Sequence, residues 1–148
     1  MVTPNLSPIL RQQRDAAFNY ATGTAQNAYD KGFFQQRGQR NMDEFSKGFG
    51  RELPSFTARQ TQRGLGGGGV QSGVMNRAMR NYVGDYTGQL GQMQQDYNAG
   101  VANFDSQQAM MTDYYQKTMD DLELQKAQEI ANTADGLLQL QQLYGGGY

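Results

Sequence analysis

From residue 75 onward the large apolar side chains of this chain fall at helical intervals. Met75, Met79, Tyr82, Tyr86, Leu90, Met93, Tyr97, Val101 and Phe104 follow one another at steps of 4, 3, 4, 4, 3, 4, 4 and 3. The pattern repeats every eleven residues: Asp85-Tyr86 recurs as Asp96-Tyr97, Leu90 as Val101, and Met93 as Phe104. An eleven-residue period corresponds to about 3.67 residues per turn, so the stripe runs nearly straight, or slightly right-handed, along a helix. It resumes through Met111, Tyr115, Met119 and Leu122 and continues less regularly through Ile130, Ala134, Leu138 and Leu143. No proline interrupts residues 70–144, and the spacing predicts one long helix there. Gly84, Gly88, Gly91 and Gly100 work against it, each by about 1 kcal/mol relative to alanine. They make sense where a neighbouring backbone approaches closely, or at a kink or hinge.

The first half carries a second, less regular helical pattern. Leu10, Ala17, Ala21, Ala25, Ala28 and Tyr29 keep helical spacing, Phe18, Phe33 and Phe34 add bulk, and Met42, Phe45, Phe49, Leu53 and Phe56 step by 3, 4, 4 and 3. A helix from about Pro8 to Phe49 is predicted. Pro54 should stop or kink it near Leu53, since proline lacks the amide proton and crowds the preceding turn. A short segment over 56–63 then leads into RGLGGGGVQSG. Gly66, Gly67, Gly68 and Gly69 carry no Cβ and so allow a sharp reversal, with Ser72 placed to cap the next helix. The reading is an all-α, elongated hairpin of two long helices joined by a glycine-rich hinge, assembled as an oligomer. Its parts are a basic helical arm (1–63), the hinge (64–73), and a long acidic helix with a Gly-rich tail (74–148).

Gly64-Leu65-Gly66-Gly67-Gly68-Gly69 also satisfies G-x-G-x-x-G, a pattern that cradles a pyrophosphate when a buried strand precedes it and a helix follows. Here the preceding residues are the polar TARQTQR, with no strand alternation, and Gly69-Val70-Gln71 replaces the Gly-Lys-Ser/Thr of a P-loop. A hinge is the plainer use.

Charge adds to this picture. Formal net charge is −1, yet residues 1–80 carry 11 Lys+Arg against 5 Asp+Glu, while residues 81–148 carry 2 against 9. Opposite halves attract, either within a hairpin or head-to-tail between subunits. Only 37% of the residues are hydrophobic and mean hydropathy is −0.77. That is polar for a compact globule but too rich in Tyr, Phe, Met and Leu for a disordered chain. It suits helices that bury their apolar stripe against other chains, because packing supplies most helix stability.

With no Cys and no His, Ser-His-Asp and Cys-His sites cannot form and disulfides are absent. The densest carboxylates, Asp43-Glu44 and Asp120-Asp121-Leu122-Glu123, read as solvated helical faces. No enzymatic activity, metal, cofactor or small-molecule substrate is expected. No apolar run approaches the roughly 20 residues that span a bilayer.

The stretch RGLGGGGVQSGVMNRAMRNYVGDY resembles a pattern in small structural proteins of tailed bacteriophage particles. There an Arg-Gly-Leu segment, then Ser-Gly, leads into a long helix rich in Ala, Gln and Tyr. The matching residues are Arg63, Gly64, Leu65, Ser72, Gly73, Arg77, Ala78 and Tyr82. The resemblance implies a multi-copy virion component, made in the host cytoplasm. It would line or plug the portal–tail channel or belong to the internal core ejected with DNA. Its partners would be other copies of itself and portal, tail or core proteins. Assembly is then expected through Tyr82, Tyr86, Leu90, Met93, Tyr97, Val101 and Phe104. An alternative role is contact with packaged double-stranded DNA or the host membrane through Arg11, Arg14, Phe33, Phe34, Arg37 and Arg40, where basic residues interleave with aromatics.

Overall fold

A computed structural model describes the backbone of residues 3–65 and 70–145 and the side chains of 3–65, 73–136 and 138. The expected hinge residues Gly66–Gly69 lie outside the described residues. Among those described there is no strand. The chain consists of helix α1 (Ser7–Gln60), a wide turn (Thr61–Leu65) and helix α2 (Val70–Gly145).

Helix α1 starts where its sequence lets it. The Leu6 carbonyl accepts the first helical bond, from the Leu10 amide at 3.0 Å. Pro8 falls in the first turn, where amide protons have no helical partner and a proline loses nothing. At the other end α1 passes Pro54 and continues to Gln60, so the expected stop near Leu53 does not occur. Pro54 is exposed, leaving the freed Gly50 carbonyl open to water. Phe49 and Phe56, on either side of the proline, both stack on Tyr82. Gly64 follows with φ 77°, the left-handed conformation that ends helices and that a Cβ disfavours. Helix α2 begins at Val70, so Ser72, expected at its N-cap position, sits within its first turn.

The chain forms two contact units. One comprises residues 29–104; the other comprises residues 1–28 with 105–148. In the first, α1 and α2 are antiparallel, with Phe34 against Gly100, Gly38 against Tyr97 and Phe45 against Tyr86. In the second, Tyr20 meets Tyr115 and Gly23 meets Met111. In that register Ser7 stands opposite residues near 128, whereas α2 runs to Gly145. The last part of α2, from about residue 129, therefore has no α1 residue beside it.

That overhang explains one departure from the expected stripe. As far as Leu122 the inward positions of α2 are those the spacing predicts, and Leu122 is the most buried apolar residue described, 6% exposed. Beyond it, Lys126, Glu129 and Thr133 occupy the inward phase, while Ile130, Ala134 and Leu138 are exposed.

Candidate functional site

The seven stripe residues Tyr82, Tyr86, Leu90, Met93, Tyr97, Val101 and Phe104 all lie in the unit formed by residues 29–104 and are all half-buried. Within one chain their partner is α1. The rings make a ladder: Phe45 stacks on Tyr86 (centroids 5.1 Å, 9° between planes), Tyr86 on Phe49 (3.8 Å, 19°), Phe49 on Tyr82 (5.3 Å, 20°) and Tyr82 on Phe56 (4.3 Å, 6°). Such aromatic pairs contribute about 0.5–1.5 kcal/mol each beyond their area burial. The phenols reach polar partners at the edge. Tyr86 donates to Ser46 Oγ at 2.9 Å and Tyr82 donates to Glu52 Oε2 at 3.4 Å. Desolvation, then the charge and hydrogen bond of Glu52, raise the Tyr82 phenol above its ordinary 10.0, with Arg59 acting weakly in the opposite sense.

Farther along the same unit, rings and glycines interlock reciprocally. Phe34 of α1 lies over Gly100 of α2, and Tyr97 of α2 lies over Gly38 of α1. Phe34 is also stacked on Tyr97 (6.0 Å, 10°) and tilted against Phe104 (5.7 Å, 53°). Of the four α2 glycines expected at close approaches, Gly100 meets a neighbour. Gly84, Gly88 and Gly91 face open space.

The other unit repeats the theme. Tyr20 stacks on Tyr115 (4.5 Å, 13°), and its hydroxyl lies 3.0 Å from Thr112 Oγ1. Thr112 gives its only proton to the Gln108 carbonyl, so Tyr20 is the donor. Lys117 and Asp113 form an exposed ion pair one turn apart, at 2.8 Å, which raises the Lys117 ammonium above its ordinary value through the hydrogen bond and charge of Asp113.

The residues expected to meet DNA or lipid separate into two groups. Arg11, Arg14, Phe33, Arg37 and Arg40 are exposed, Phe33 at 59%. Phe34 is turned inward onto Tyr97 and Gly100, because adjacent helical residues point about 100° apart. The signal that separates them is in the sequence: Gly23, Phe34, Phe45 and Phe56 are eleven apart, in phase with the α2 repeat, whereas Phe33 is out of phase. Among the described residues, no group of three or more Asp and Glu is close enough to hold a metal ion. No described helix is long and apolar enough to cross a membrane. The glycine fingerprint is preceded by α1 and the turn, with no strand.

No family model matches the chain, and no curated protein or solved structure is similar to it.

Proposed function

We propose that the chain is a non-enzymatic structural protein of a tailed phage particle. It would be a multi-copy helical component of the portal, neck or tail channel, or of the internal core, acting in assembly or DNA ejection. The observation that carries this reading is how little of the chain buries itself. It exposes 11257 Å², against the ~7,500 Å² expected of a compact monomer of its 16.5 kDa mass. Phe18, Tyr29, Phe33, Met110 and Tyr114 are among its exposed large side chains. Helices that leave large apolar side chains such as these uncovered gain stability by packing against further chains. The phage assignment rests on the motif around Arg63–Tyr82.

The test is quantitative mass spectrometry of density-gradient-purified particles of the phage whose genome encodes the chain. The reading predicts several copies per particle. Its absence from particles that contain the portal and tail proteins would refute it.

The exposed Phe33 between Tyr29 and Arg37 favours a second reading, an ejected module that binds membrane or DNA. Binding of the full chain to anionic vesicles or duplex DNA, weakening steeply with salt and lost in Arg37→Glu/Arg40→Glu, would support it. No binding at low salt would remove it.

A further inference from the structure

The two contact units carry opposite charge. The unit of residues 29–104 holds nine Lys+Arg against six Asp+Glu; the unit of residues 1–28 and 105–148 holds four against eight. Each also presents an outward apolar face of matching character. On α1 in the basic unit, Tyr29 (71% exposed) and Phe33 are followed by Arg37 and Arg40. On α2 in the acidic unit, Met110 (62%), Tyr114 (74%), Asp121 and Leu124 share one side of the helix, with Asp120 next to them. The one basic residue on that side, Lys117, is already neutralised by Asp113. Both faces lie away from the inward stripe, so their use leaves the intrachain ring ladder intact.

We infer that these two faces bind each other between copies, the basic unit of one chain docking on the acidic unit of the next. The inference rests on the self-assembly proposed above and specifies its geometry. Aromatic and aliphatic side chains supply the area removed from water, and the charges set orientation: basic on basic or acidic on acidic is repelled, so a two-fold pairing of either face with itself is disfavoured. A contact between two different faces is heterologous. It continues from copy to copy, closing into a ring if the rotation allows and otherwise growing as a filament.

The test uses two full-length variants, Arg37→Glu/Arg40→Glu and Asp120→Lys/Asp121→Lys, each spoiling one face and leaving the other. All four positions are exposed, so helicity by circular dichroism should match the wild type. Mass is read by light scattering over a concentration series. The wild type should assemble, and each variant alone should associate roughly 100-fold more weakly, two reversed charges at about tenfold each. Mixed one to one, the variants should assemble again, because their intact faces pair with each other and their charge-reversed faces are complementary to each other. Raising salt should loosen the wild-type assembly. A wild type that assembles while both variants assemble equally well would overturn this pairing and leave the self-assembly reading standing. Mixed variants that associate no better than either variant alone would also overturn it. A wild type monomeric at every concentration would overturn self-assembly itself.

Discussion

Gly100→Ala tests the packing of the two helices most sharply, because two opposing effects of known size meet at one atom. In an exposed helix interior, glycine to alanine stabilises by about 1 kcal/mol through backbone entropy. At Gly100 the added methyl would fall within the Phe34 ring. That ring is also held against Tyr97 and Phe104, so it cannot retreat without loosening both contacts. Overpacking of this kind costs about 1–3 kcal/mol, and weakened ring pairs add about 0.5–1.5 kcal/mol each. The net expectation is a loss of about 1–5 kcal/mol, depending on how far the two ring pairs are weakened. Gly88→Ala is the control: nothing lies within 4 Å of its new Cβ, so the full gain of about 1 kcal/mol should appear. For a chain of this size, 1 kcal/mol moves Tm by about 3 °C. Melting followed by far-ultraviolet circular dichroism should therefore place Gly88→Ala above the wild type and Gly100→Ala several degrees below it. If both substitutions raise Tm equally, Phe34 does not lie on Gly100 and the register is wrong.

Other substitutions probe the remaining parts. Tyr86→Ala removes the ring shared by Phe45 and Phe49 and should cost about 3–4 kcal/mol in urea unfolding, whereas Tyr86→Phe, which loses only the bond to Ser46, should cost 1 kcal/mol or less. Pro54→Ala restores an amide proton inside α1 and should raise stability by up to about 3 kcal/mol; no gain would mean that the helix does not run through this position. The Tyr82 phenol is raised in the folded state, so its contribution to stability is complete below pH 10 and is lost as pH rises through its folded value. Comparing tyrosinate absorbance with that of Tyr82→Phe should isolate this titration, and Glu52→Gln should move it down; an upward or absent shift would contradict the assigned cause.

The architecture was readable where one physical signal dominated. The eleven-residue spacing over Met75–Phe104 gave both the helix and the side it buries, since a repeat of 3.67 residues per turn keeps one face in register with a straight neighbour. Three features escaped for identifiable reasons. Pro54 reads locally as a stop, but ring contacts on both flanks, made by residues distant in sequence, override it. Phe33 and Phe34 look equivalent until the phase of Phe45 and Phe56 is applied. The exposed turn of Ile130 and Leu138 follows from where α1 begins, a register that only the pairing across the two helices supplies. The glycines divide in the same way: Gly100 is at a close approach and Gly84, Gly88 and Gly91 are not, because the inward phase passes through the first and misses the others.

The central claim is that this chain, left to itself, covers too little of its apolar surface and completes its packing with further copies. Light scattering of the wild-type chain across a wide concentration range, with circular dichroism on the same samples, tests it directly. The account predicts a highly helical species of discrete multi-copy mass that persists on dilution into the micromolar range or below. A highly helical species that stays monomeric at the highest concentration would contradict it, since the intrachain ladder would then suffice alone.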